Sequence, residues 1–291
     1  MRRRPAVLVG VVVLAVAAAV TVAALQAGGD GHAGAPATTP TVPDVDLSAP
    51  FPDATTTGVP AGTTLTPSGS LDVKSAGTVL EGLDIDGCVD VHADNVTIRA
   101  SRISCARPTT AVRLMDGYSG LRLEDVEIDG NGIVSAAVGF TDYTLVRVNI
   151  HGVVDGPRMG SRTVLVDSYV HGLVRTDDSH NDAVQVTGGS GVSILHNTLD
   201  AYDPATGDLF NAAIMVGTGK DSVADLLIEG NYLNGGNYTV TFRPNLDASN
   251  IVGRGNTFGP DQRYGPLAHA DSPGITWTWL PDPSATASEQ G

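Results

Sequence analysis

The chain has 291 residues and a formal net charge of −15, and only 5% of it is aromatic against 35 glycines. A core must therefore be built from Val, Ile, Leu and Ala, and the acidity excludes nucleic acid, whose phosphates require a basic footprint. It also disfavours unaided attraction of a polyanionic glycan unless a bound cation inverts the local field.

The first element is an export signal. "MRRR" precedes an apolar run from Ala6 to Leu25 that is broken only by Thr21. The run is longer than a typical secretory h-region and close to the length that spans a bilayer, so residues 1–27 read as a cleaved signal peptide or a retained signal anchor. Removing Arg2, Arg3 and Arg4 with it would bring the charge to about −18. Either way the remainder is expected outside the cytoplasm, secreted or on the cell surface, with membrane contact only through an uncleaved anchor. Residues 28–60 are Pro/Thr-rich without periodicity and read as an extended linker, and 282–291 as a disordered tail. Residues 61–281 remain as one folded domain.

That domain repeats itself. An alternating strand that closes on an apolar residue, a polar residue and usually Gly recurs as "LDIDG" (83–87), "VEIDG" (126–130), "VNIHG" (148–152) and "SYVHG" (168–172). Looser copies are "NTLD" (197–200), "NYLNG" (231–235) and "NTFG" (256–259). The spacing drifts between 18 and 34 residues. Short strands, a drifting period and no helical pattern indicate a solenoid of β rungs. Alternation in "LVRVNIHG" puts Val146, Val148 and Ile150 inside, and Arg147, Asn149 and His151 outside. A second strand follows each phrase, as in "DGPRM" (155–159), "DAVQV" (182–186), "AAIMV" (212–216) and "YTVTF" (238–242). Pro157 predicts a bulge or a locally open rung, because proline cannot donate to an inner ladder.

With "GVPAGTTL", "NVTIRASRI", "SHNDAVQV" and "ILHNTL", the stretch from Gly58 to Phe258 resembles the pectate lyase superfamily, most closely its secreted actinobacterial members. The resemblance implies an all-β, single-stranded right-handed parallel β-helix, here of about ten rungs and about 48 Å long. The fold serves lyases, glycosidases, esterases and adhesins, whose substrates are usually polysaccharides lying along the strands, so it does not decide the chemistry. Cys88 and Cys105 follow Ile85 and Ile103, equivalent positions on neighbouring rungs. Stacked strands lie within disulfide reach and an exported protein keeps such a bond, so a disulfide is expected over two free thiols or a metal pair.

The densest chemistry lies in "DDSHNDAVQVTGG", Asp177–Gly189. Aligned rungs put Asp155 under Asp182 and Arg158 under Gln185. His151 and His171 fall in one outward column, with Asp129 below and Asp200 above. Asp177, Asp178 and His180 belong to an inserted turn of the kind that walls a groove. Asp155, Asp182, His171 and His180 are therefore the candidate catalytic residues, and Arg158, Gln185, His151, Arg175 and Asn181 the candidate substrate contacts. Parity raises an objection: if Val184 and Val186 face inward, so do Asp182 and His180. Either a left-handed bend at Asn181 resets the alternation, or Asp182 caps backbone at the corner. Asn197, Asn231 and Asn256 read as a turn-lining amide ladder with His196 beside it, and Trp277 and Trp279 as a cap on the last rung.

Three functions follow. A glycoside hydrolase would use paired carboxylates on adjacent rungs as acid and base, without a cofactor. A polysaccharide lyase would act on uronate glycans, with Asp178 joining Asp155 and Asp182 around Ca²⁺ or an arginine in its place. A third reading is a non-catalytic β-helix that binds glycan or cell wall. The leading expectation is a monomeric extracellular hydrolase whose partner is a polysaccharide. On that reading Asp155→Asn and Asp182→Asn each lower turnover at least ~100-fold and leave folding nearly unchanged.

Overall fold

The recurring apolar residue of each phrase forms one unbroken interior column. Ile85, Ile103, Ile128, Ile150, Val170, Leu199, Leu233 and Phe258 are successive partners in register. All but the terminal Phe258 are fully buried. The computed structural model describes residues 42–177, 179–219 and 221–279. The apolar run at 6–25, Asp178 and the tail at 282–291 lie outside the described residues.

Among the described residues the strands form three sheets of ten, nine and five strands. Every pairing between them is parallel. The first sheet carries the phrases, from Thr66–Val73 to Thr257–Phe258. The second runs from Arg158–Met159 through Asp182–Val186, Ala212–Val216 and Tyr238–Phe242 to Gly265–Ala268, and the third from Val79–Glu81 to Ile275–Thr278. From Arg158 onward the chain visits second, third and first sheet in turn, so each circuit adds one rung to a parallel β-solenoid. The break expected at Pro157 lies where the first sheet gives way to the second: Asn149–Asp155 ends, and the next strand is only Arg158–Met159.

The third sheet supplies a second interior column, Leu80, Ile98, Leu123, Leu145, Leu165, Ile194 and Ile228. It continues at Gly253 and Trp277. A Cβ on Gly253 would overlap the Trp277 ring, so the glycine makes the room in which the indole closes the lumen against Phe242 and Phe258. Trp277 is the expected cap, while Trp279 beside Phe258 is largely exposed.

Third and first sheets join through a two-residue corner whose first residue is left-handed, as at Arg147, Asp167 and His196. Its second residue builds the amide ladder. Asn231 Oδ1 accepts from the Asn197 backbone at 2.9 Å, and Asn256 Oδ1 from the Asn231 backbone at 3.0 Å. Their Nδ2 groups donate to Leu165, Ile194 and Ile228 carbonyls. The ladder satisfies polar backbone that the corner would otherwise strand in the core. Cys88 and Cys105 form the disulfide, with Cα atoms 4.8 Å apart, and Ile85 and Ile103 are paired in register. That bond fits an oxidising compartment.

The stretch expected as a linker does not run free from Val45 on. Val45 packs on an outward cluster of Val146, Val164, Val166 and Leu195, so Val146, expected inside, faces out and Leu145 faces in, because left-handed Arg147 resets the alternation. The Ala49 carbonyl faces His196 Nε2 at 3.1 Å, Phe51 lies against His196 and Tyr232, and Gly58 donates to the Arg147 carbonyl. This segment is a strap across several rungs. Its Pro/Thr composition hid the docking, because isolated apolar residues carry no period.

Candidate active site

The insertion between the first and second sheets forms a corner loop, residues 171–181. Gly172 and Asp177 are left-handed, at φ 54° and 43°, and Asn181 is not, so the bend expected at Asn181 lies earlier in the loop. Asn181 is fully buried. Its Nδ2 donates to the Val154 and Val174 carbonyls at 2.8 Å each, and its Oδ1 accepts from Ser179, which anchors the loop to the rung below. Asn181 is therefore turned into the corner and away from solvent.

The rung alignment is observed: Arg158 pairs with Gln185, and the Asp182 backbone donates to Asp155 Oδ1 at 3.1 Å. The expectation that both carboxylates face an open groove is corrected, since Asp155 is 2% and Asp182 1% exposed. Strict alternation fails here, since consecutive Ala183 and Val184 both join the core while His180 is exposed, and Asp182 is buried at the corner instead. Each carboxylate holds the side chain three residues on. Arg158 Nη2 donates to Asp155 Oδ2 at 2.8 Å, and Gln185 Nε2 to Asp182 Oδ2 at 2.8 Å. The remaining Asp182 oxygen accepts from Asn211 Nδ2 at 2.7 Å. Burial pushes the Asp182 carboxyl up to about 7, with the Asn211 and Gln185 donors pulling it back and Asp155 adding to the rise. Burial raises Asp155 as well, against the pull of Arg158. These oxygens already face N–H donors and do not offer a Ca²⁺ shell. Among the described residues no group of three or more His, Cys, Asp and Glu is placed to hold a metal.

Above this stack lies a groove of about 480 Å³ lined by Arg175, Asp177, Ser179, His180, Phe210, Asn211, Asn237 and Arg263. Arg175 is fixed by two bonds to Asp208, at 2.6 and 2.8 Å, and lies over the Phe210 ring. His180 is exposed on the rim. The structure thus keeps Arg175 and His180 at one groove, but Arg158 and Gln185 stand on the outer face of the second sheet.

His151 and His171 are on the first sheet instead. His171 stacks on Tyr169 with centroids 4.0 Å apart, bonds Asn149 Oδ1 at 3.0 Å and lies 5.5 Å from the His151 ring. Burial, reinforced by His151, lowers His171 to about 4. His151 is raised, chiefly by its bond to Glu127 at 3.2 Å. The outward column continues through Asp200, paired in register with Asn234. Asn234 Nδ2 bonds Asp200 Oδ1 at 3.0 Å and Asp261 Oδ2 at 3.2 Å, so the two oxygens lie within 6.2 Å of each other. Burial raises Asp200, Asn234 counters it and Asp261 adds to it. Both carboxylates are partly open to solvent. Tyr169 and Tyr232 occupy one outward column two rungs apart, with Thr198 of the Asp200 strand between them.

Asp261, Asn234 and Tyr232 were not singled out in the sequence. Asn234 and Tyr232 were findable as outward positions of "NYLNG", whereas Asp261 lies beyond the last phrase, where no period places it. Comparisons with family models, curated proteins and solved structures return no match.

Proposed function

We propose that this protein is an extracellular polysaccharide-cleaving hydrolase, a right-handed parallel β-helix of about ten rungs like those of the pectate lyase superfamily. The right hand follows from the strong preference of parallel crossovers. The observation that carries the activity is the Asp200–Asn234–Asp261 bridge. It holds two solvent-reachable carboxylates within 6.2 Å, one of them raised by burial. That spacing suits retaining hydrolysis, in which carboxyl groups stand ~5–5.5 Å apart, rather than the wider inverting arrangement. Asp200 is the acid that protonates the leaving oxygen. Asp261 attacks the anomeric carbon, and water then releases the sugar with Asp200 as base. Tyr169 and Tyr232, about 9.5 Å apart along the axis, flank Asp200, Tyr169 with the ring face that His171 leaves free and Tyr232 beside Phe51, and would contact sugars on either side of it.

A second reading, elimination from a uronate glycan, has one specific support: Arg263 forms no ion pair among the described residues and lines the corner groove with Arg175 and His180. A glycan panel decides, following reducing ends and unsaturated-uronate absorbance together. Hydrolysis gives reducing ends alone, lost at least ~100-fold in Asp200→Asn and in Asp261→Asn. The first product, followed by NMR, keeps its anomeric configuration. Unsaturated product moves the chemistry to the groove, and no product on any glycan sinks the enzymatic reading.

A further inference from the structure

Arg158 and Gln185 stand side by side on the outer face of the second sheet, each held from beneath by the aspartate three residues earlier. The two clamps differ chemically. A guanidinium only donates, so Arg158 presents the same face whatever Asp155 does. A glutamine amide has a donor end and an acceptor end, and its partner decides which one points outward. Ionised Asp182 only accepts, so Gln185 turns its NH₂ inward, as observed at 2.8 Å, and leaves Oε1 outward beside Arg158. Protonated Asp182 donates its O–H to Oε1 instead, and the NH₂ turns outward.

We propose that Arg158 and Gln185 form a carboxylate-binding strip, and that Asp182 beneath them is its protonation switch. Below the switch point the strip offers a guanidinium and an amide donor. Above it, Gln185 offers a carbonyl oxygen, and a buried negative charge lies behind it. Both changes weaken the hold on an anion. The groups acting on Asp182 are Asn211, Gln185, the Ala212 backbone and the Asp155 carboxylate, and Asp155 in turn faces Arg158 and His180. Burial places the Asp182 transition near neutrality. The strip is separate from the Asp200–Asp261 pair, so it goes beyond the hydrolytic reading and does not depend on it.

The test measures binding of trigalacturonate by calorimetry between pH 6 and pH 8, a range in which its own carboxylates do not titrate. Asp200→Asn protein is used, which hydrolysis would leave inactive, so binding is separated from turnover. Affinity is expected to fall about 5- to 10-fold from pH 6 to pH 8: one hydrogen bond to a charged group is worth more than ~10-fold, but a transition near 7 leaves about a tenth of the opposite form at each end. Asp182→Asn should bind as tightly at pH 8 as at pH 6, Arg158→Leu should lose binding at both, and xylotriose should show no pH dependence. Acetate binding with the same pH profile would mark the strip as a site for any carboxylate; binding of the trisaccharide alone would mark a uronate glycan. In the unliganded protein, the Gln185 side-chain ¹⁵N resonance should titrate near pH 7 and stand still in Asp182→Asn. Affinity that is flat with pH overturns the proposal, as does pH dependence that survives in Asp182→Asn but disappears in His180→Ala. Failure of trigalacturonate to bind at either pH overturns it too.

Discussion

Asp182 makes a measurable claim on folding. It is 1% exposed, and its carboxyl is raised from the ordinary 3.8 to about 7 by burial, so the discount for solvent screening does not apply. The folded value exceeds the unfolded one. The stability tied to this group is therefore complete below about pH 4 and is lost as pH rises through about 7. A rise from 3.8 to about 7 corresponds to about 4 kcal/mol. Asp182→Asn removes the titration and keeps the contacts: the substituted side chain's Oδ1 accepts from Asn211, and Gln185 turns over so that its Oε1 accepts from the new amide. The variant should thus lie within about 1 kcal/mol of the parent near pH 4.5 and exceed it at pH 8 by up to about 4 kcal/mol, or roughly 8–16 °C in a domain of this size. Exposed carboxylates such as Asp53 and Asp84 are lowered by their partners and act in the opposite sense. The quantity to read is therefore the difference in Tm between variant and parent at each pH. A difference that is the same at pH 4.5 and pH 8 would refute the reasoning.

The amide ladder should be costly to interrupt. Asn231→Ala leaves the Asn197 N–H and the Ile194 carbonyl without partners and should lower stability by about 3 kcal/mol or more in urea unfolding. Replacing Cys88 and Cys105 with serine opens a 17-residue separation and should cost about 3 kcal/mol, read the same way, with the fold retained by circular dichroism. Removing residues 1–58 uncovers the outward cluster under Val45, so the truncated protein should melt lower and bind a hydrophobic dye at temperatures where the full chain does not.

The interior was legible because one rule governs it. Period-two alternation around a recurring apolar residue selected Ile85 through Phe258, and every successive pair proved to be in register. The disulfide, the asparagine ladder and the Trp277 cap followed from the same stacking. The site was legible only in part, because the alternation that says which residues leave the core does not say which of them reach water. Asp155 and Asp182 were correctly stacked, yet the loop pinned by Asn181 encloses them, and that loop is held by contacts remote in sequence, such as Arg175 to Asp208. His151 and His171 were placed in the right column with Asp129 and Asp200, but were grouped with Asp155 and Asp182, which stand at the corner where the chain, at 156–157, turns from one sheet to the next. Once that corner is drawn, the outward column of the first sheet must be read to its end, through Asp200 and Asn234 to Asp261. The carboxylates sought on adjacent rungs at Asp155 and Asp182 have solvent-reachable counterparts one face away, bridged by a single amide.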